Sequence, residues 1–210
     1  MKNNSILLRN ELVKICHKLQ AKGLVVATDG NVSVRLDEQR FLITPSGLAK
    51  GKLSTKDLVI MNLEGKILEG KNKPSSEIKM HLFIYKSRKD INAIVHAHPP
   101  IATGFAVAGI ALTKPVLPEI LLTVGKIPLA KYATPSTEEV PKSLKKLIKK
   151  HQTILLANHG AITLGKDLQD AYYKMERLEY FALVSLVAHL LGKERTLSAE
   201  EIKKLTAIVI

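Results

Sequence analysis

The sequence predicts a single α/β domain over residues 1–210, built on a mainly antiparallel sheet with helices packed against it. Three observations predict it. A chain of 210 residues fits one domain with a sizeable buried core. Segments with strand character come in pairs closed by short polar turns. Segments of helical period open the chain, close it and separate those pairs. No internal repeat, low-complexity tract or Pro/Ser-rich linker divides the sequence.

The elements follow in order. Residues 5–22 read as an amphipathic helix, with Leu8, Leu12, Ile15 and Leu19 at helical spacing and Gly23 as its stop. Residues 31–36 and 40–44 are strands around an Asp37-Glu38 turn, and residues 58–63 and 66–68 form a hairpin about Glu64-Gly65. Helical period returns over residues 75–88 through Ile78, Leu82 and Tyr85. Residues 92–98 are a short strand with an apolar centre, after which Pro99 and Pro100 open a helix rich in small residues. Residues 126–130 are predicted as a strand and 137–150 as a basic amphipathic helix. Strands at 153–157 and 161–164 flank Asn158-His159-Gly160, and Asp167 caps a long helix striped by Leu168, Ala171, Met175, Leu178 and Phe181.

Composition removes several classes of function. The longest nearly apolar run, residues 182–191, is far short of the roughly 20 residues needed to cross a bilayer, so no membrane role is expected. The first ten residues are polar and carry no apolar targeting core, which predicts a cytoplasmic setting. A lone cysteine, Cys16, forms no internal disulfide and reads as a buried thiol. The net charge of +13 suits an anionic partner, and nucleic acid is the obvious candidate. However, the lysines are scattered and aromatic residues make up only 4%, so stacking platforms are scarce. A basic field that steers a phosphorylated metabolite into a cleft remains, beside a Lys-rich surface of a heat-adapted or compositionally biased proteome.

His96 and His98 are the centre of the chemistry. Side chains two apart on a strand point to one face, so both imidazoles can reach one point. His159, between a strand and a glycine, can project toward the same cleft. Three histidines with an open position match a catalytic zinc site. His17, His81, His151 and His189 fall on predicted helices or their ends and are given surface or packing roles. Glu77 follows Ser75 and Ser76 at a helix start, where a serine caps the helix and the carboxylate suits its dipole. The same helix start with its hydroxyls suits a phosphate, and a carboxylate beside a metal suits proton transfer or ligation. The local pattern leaves these readings of Glu77 open. The turns Asp29-Gly30-Asn31 and Thr44-Pro45-Ser46-Gly47 offer further N–H groups and hydroxyls, but neither is a Walker loop or a dinucleotide fingerprint.

Taken in order, Gly30-Asn31-Val32-Ser33-Val34-Arg35, Thr44-Pro45-Ser46-Gly47, Pro74-Ser75-Ser76-Glu77, His96-Ala97-His98-Pro99 and Asn158-His159-Gly160 resemble the class II aldolase/adducin-head family over about residues 6–205. The resemblance implies a three-layer α/β/α fold around a mainly antiparallel sheet, and a homotetramer with active sites at subunit interfaces. It implies Zn2+ held by His96, His98 and His159, and Glu77 as the catalytic acid/base. It places a phosphate pocket on Asn31, Ser46, Gly47, Ser75 and Ser76, with Gly30 and Thr44 shaping the turns.

The implied activity is reversible cleavage of a small phosphorylated sugar, L-fuculose 1-phosphate or a similar ketose 1-phosphate, to dihydroxyacetone phosphate and a small aldehyde. The alternatives within the family are L-ribulose-5-phosphate 4-epimerase and methylthioribulose-1-phosphate dehydratase. Epimerases of the family commonly carry Asp where Glu77 stands, so this residue resembles the aldolases. An adducin-like module without catalysis would be expected to lose its ligands. Where family aldolases place a tyrosine, this chain reads Pro118-Glu119-Ile120, as the dehydratases do, and Glu119 is expected to take over proton transfer.

Overall fold

The computed structural model describes residues 2–208. The chain runs α1 (Lys2–Ala21), β1 (Asn31–Arg35), β2 (Arg40–Ile43), β3 (Val59–Asn62), β4 (Ile67–Glu69), α2 (Ile78–Ser87), β5 (Ala93–Ala97) and α3 (Pro100–Val107). It continues through α4 (Pro118–Thr123), β6 (Leu129–Ala130), α5 (Glu139–Leu144), β7 (Thr153–Leu156), β8 (Gly160–Gly165), α6 (Leu168–Leu190) and α7 (Ala199–Ile208). The strands form one 8-stranded sheet in the order β4-β3-β2-β1-β5-β8-β7-β6. Every pairing is antiparallel except β6 with β7.

Strand alternation divides the core into two layers. Val32, Val34, Leu42, Val95 and Ala97 face α1, α3 and α6, meeting Leu12, Ile15, Ala102, Met175 and Leu178. Phe41, Ile43, Ile94 and Ile162 face the opposite way, onto Met80, Ile84 and Tyr85 of α2 and Val140 and Leu144 of α5. This is the predicted three-layer α/β/α arrangement with a mainly antiparallel sheet. Among the described residues, no helix is long and apolar enough to cross a membrane.

Gly23 ends the first helix at φ +67, and Asp167 caps α6 by accepting from Asp170 N at 2.7 Å. Two predicted elements are shorter than their periodicity implied. The helix at 137–150 is regular only over Glu139–Leu144, and turns follow it to Lys150. Lys145 and Lys149, and Lys146 and Lys150, are like charges at i,i+4 spacing, which weakens a helix there. The strand at 126–130 shrinks to Leu129–Ala130. Pro128 lacks an N–H for a ladder, and Ile127 bridges Leu112 instead of the sheet. Helices α4 and α7 were not anticipated.

Candidate metal centre

The α2 side of β1 and β5 carries the site. Asn31 and Ser33 share this face of β1, and Asn31 pairs in register with His96 of β5. His96 is wholly buried, and His98 continues its face just past the strand end. His159 arrives from the other side of β5, on the tight turn that joins β7 to β8. Asn158 takes φ +56 in that turn, a left-handed conformation that Asn tolerates better than most residues. Gly160 is required by space: a Cβ there would lie 2.5 Å from His98 Cδ2 and 2.6 Å from the Ala97 carbonyl oxygen.

The three rings face one another, with centroids 4.8–5.0 Å apart. Each offers a ligand nitrogen, and these atoms lie within 4.8 Å of one another. His96 Nδ1 is 2.9 Å from the Ala161 carbonyl oxygen and donates to it, which leaves Nε2 as the free electron pair. That Nε2 sits 3.1 Å from His98 Nε2 and 2.9 Å from Glu77 Oε2. Glu77 Oε1 lies 3.5 Å from His159 Nε2 and, though buried, has no hydrogen-bond partner. Asp29 Oδ2 stands 3.7 Å from His98 Nδ1.

The electrostatics fit a cation. Burial opposes the charge on Glu77, but His96, His159 and the Asn31 donor outweigh it and hold the carboxyl well below its usual range. Burial likewise opposes a proton on His96, and Glu77 overcomes it, so the His96 pKa is raised. His98 is pushed down to about 4 by burial, then by His96 and His159, and burial with His96 also lowers His159. Converging ring nitrogens beside a buried carboxylate with an orphaned oxygen form a donor set that a divalent metal would satisfy.

The turns expected around a phosphate are brought together. Pro45 bridges Pro74, Ser46 N donates to Lys73 O at 3.0 Å, and Ser75 N donates to Thr44 O at 3.2 Å. Ser46, Gly47 and Ser76 are exposed beside one another's turns, while Ser75 is buried and accepts from Glu77 N through Oγ at 3.3 Å. The Thr44 hydroxyl accepts from Val32 N at 3.1 Å, so it shapes the turn. Gly30, at φ +71, packs so closely that a Cβ would meet the His96 carbonyl oxygen at 2.8 Å. Glu77 occupies the N-cap position of α2 without capping it; its carboxylate turns toward Asn31 and His96 instead.

Glu119 stands apart. It lies exposed in the first turn of α4, which packs on α6 and α7. Among the described residues no hydrogen bond or ion pair ties its carboxylate to the histidines. Conversely, the structure adds residues to the site. His81, expected in a surface or packing role, is wholly buried and bonded to Ser33 and Asn31. Its place one helical turn after Glu77 was the available signal. Lys50 is buried with Nζ 2.8 Å from Thr28 O and 2.9 Å from Leu48 O, clamping the 28–31 and 44–48 turns together. No local sequence pattern marks it.

The model of the class II aldolase and adducin N-terminal domain matches residues 10–186. The chain belongs to this family. An L-fuculose phosphate aldolase of Methanococcus maripaludis is 40% identical over 177 residues, covering 84% of this chain and 95% of its own. A 5-deoxy-D-ribulose 1-phosphate aldolase of Bacillus thuringiensis is 34% identical over 199 residues, covering 94% and 92%. Among solved structures, an L-fuculose 1-phosphate aldolase superposes with a TM-score of 0.88 at 34% identity, over 96% of this chain and 95% of that one. In this class II aldolase family member, three imidazoles and a carboxylate converge on one point.

Proposed function

We propose that this chain is a zinc-dependent aldolase that reversibly cleaves a ketose 1-phosphate, L-fuculose 1-phosphate or a close analogue, to dihydroxyacetone phosphate and a small aldehyde. The observation that carries the reading is the convergence of His96, His98 and His159 with the Glu77 carboxylate, one of whose oxygens is buried without a partner. Relatives named as aldolases of two different ketose 1-phosphates support aldol cleavage. A 3-oxo-tetronate 4-phosphate decarboxylase of Pectobacterium atrosepticum at 34% identity makes the reaction as well as the sugar a matter for the assay.

His96, His98 and His159 would hold zinc, which when bound supplies a Lewis acid for negative charge developing on the substrate oxygens. The chain's own groups do the rest. Ser46, Gly47, Ser75, Ser76 and Asn31 bind the phosphate with hydroxyl, amide and N–H donors and so fix the sugar's register. Removal of the C4 hydroxyl proton lets the C3–C4 bond break, with its electron pair left on the C3 side. Glu77, an ionised carboxylate at rest, takes up a proton from solvent during turnover and passes it to C3 to complete dihydroxyacetone phosphate. Glu119 serves the aldehyde oxygen from a neighbouring subunit of a homotetramer; its exposure on α4, with no hydrogen bond or ion pair to its own chain's histidines among the described residues, suits action in trans. Cytoplasmic sugar-phosphate metabolism is the setting that goes with this chemistry.

The test is to mix zinc-loaded protein with L-fuculose 1-phosphate and other ketose phosphates and detect dihydroxyacetone phosphate with a coupled dehydrogenase. Release that a chelator abolishes supports the proposal, and relative rates rank the sugars. No release, with NMR showing an epimerised pentose or a dehydrated product, replaces aldol cleavage by that chemistry.

A further inference from the structure

His81 lies four residues beyond Glu77, on the same face of the helix start, and the aldol chemistry gives it no part. Its two ring nitrogens have separate buried partners. Nδ1 is 2.7 Å from Ser33 Oγ, and Nε2 is 2.5 Å from Asn31 Oδ1. The series extends both ways: Ser33 Oγ is 2.8 Å from the Tyr85 hydroxyl, and Asn31 Nδ2 donates to Glu77 Oε2 at 2.9 Å. Asn31, Ser33, His81 and Tyr85 are all buried.

The end of the series fixes the direction of every hydrogen in it. An ionised carboxylate only accepts, so Asn31 must turn its NH2 to Glu77 and its carbonyl oxygen to His81. A carbonyl oxygen also only accepts, so His81 Nε2 carries the ring hydrogen. Burial, helped by His96 and opposed by Glu77, pushes the His81 pKa down to about 3, and the neutral ring leaves Nδ1 bare. Nδ1 therefore accepts from the Ser33 hydroxyl, whose oxygen accepts from Tyr85. Burial raises the Tyr85 phenol above its ordinary value, against the Ser33 bond and the Arg35 guanidinium 4.6 Å from its ring centroid. All the hydrogens point toward Glu77.

An asparagine amide turned end for end fits the same space, so shape alone does not orient Asn31. The reversed amide would set an oxygen against the carboxylate and push it away. We propose that His81 is a positioning residue: as the neutral Nε2–H tautomer it locks the Asn31 amide with its NH2 toward Glu77, and so holds the Glu77 carboxylate beside the three imidazoles. It touches neither substrate nor metal. Its kinetic consequence rests on the aldolase reading; its hydrogen-bond assignment does not.

Two measurements test it. In 15N-labelled protein, long-range proton–nitrogen correlations of the histidine rings report the tautomer, with His81 identified by the signals lost in His81→Gln. A protonated Nε2 with a bare Nδ1, unchanged from about pH 6 to about pH 8, is expected. A ring protonated at Nδ1 only, or at both nitrogens, overturns the proposal. In the metal-loaded enzyme, His81→Leu should lower kcat about tenfold to a hundredfold with a smaller change in KM. His81→Gln, which returns an N–H near the Nε2 position, should recover most of that loss. Both variants should retain their metal; His81→Leu, which strands Asn31 Oδ1 and the Ser33 hydroxyl, should melt lower than the wild type, and His81→Gln closer to it. Full activity in His81→Leu, or equal impairment in His81→Gln, overturns the proposal. The tautomer is read in wild-type protein without turnover. It therefore still decides if His81→Leu does not fold, or if no ketose phosphate is cleaved and the aldolase reading fails instead.

Discussion

Glu77 Oε2 lies 2.9 Å from His96 Nε2, although Glu77 belongs to the start of a helix and His96 to the strand beneath it. The contact depends on His96 spending its other nitrogen on the Ala161 carbonyl oxygen. It also depends on Glu77 leaving the N–H groups of its own helix uncapped. The carboxylate is thereby committed to the three imidazoles.

Glu77→Gln retains the shape and the Asn31 neighbour but removes the charge and the capacity to carry a proton. Turnover should fall by about 10²–10⁴-fold with the metal still bound. Steady-state rates and metal content, measured on the same sample, check this. Undiminished turnover would remove Glu77 from the mechanism.

Gly160→Ala should damage the metal centre more than any contact it makes would suggest. The new Cβ meets a backbone oxygen at 2.6 Å and His98 Cδ2 at 2.5 Å, and the backbone atom cannot swing away. A loss of roughly 1–3 kcal/mol in urea unfolding is expected, together with weaker metal binding by titration. Wild-type metal affinity in a folded variant would contradict it.

Lys50→Met keeps the apolar stem but strands the Thr28 and Leu48 carbonyl oxygens. Stability should drop by about 1–3 kcal/mol. Because the two clamped turns carry Asn31, Ser46 and Gly47, inorganic phosphate should bind more weakly and KM should rise more than kcat falls. Calorimetric titration with phosphate checks the first effect, and an unchanged affinity would separate Lys50 from the anion site.

Cys16 should resist thiol reagents in the folded protein and react fully in denaturant. Burial, against a small opposing effect of Lys50, pushes its pKa from 9.0 up to about 12. The unfolded chain therefore loses the thiol proton first, so this residue's contribution is complete below pH 9 and lost as pH rises toward 12. Its share of the slope is about 1.4 kcal/mol per pH unit. Unfolding curves across this range should be shallower in pH for Cys16→Ala than for the wild type, and equal slopes would refute the assignment.

What the sequence revealed was what local periodicity encodes. The i,i+2 spacing of His96 and His98 predicts a shared face, and the turn after a strand predicts the projection of His159; the structure brings all three together. Asp167 as a cap and Gly23 as a stop are likewise one-turn signals. The partners of His81 and Lys50 are not local. Ser33 lies 48 residues before His81 and Thr28 lies 22 before Lys50, so the contacts exist only once β1 is laid beside α2 and the loops close. Spacing one turn after Glu77 marks the shared face of His81, but not the partners that its ring meets there. The shortened α5 shows the reverse limit, where an apolar stripe persists but repulsion among lysines breaks the regular helix.

The position of β5 has a consequence for how the protein breathes. The strand that carries His96 has a neighbour along each edge, β1 and β8, and lies well inside the sheet. Its amides can exchange with solvent only through an opening that also parts those neighbours, close to the free energy of complete unfolding. Stripping the metal should therefore leave the amide exchange of β5 slow. An ion taken up by His96 would then meet a strand that is already held in place.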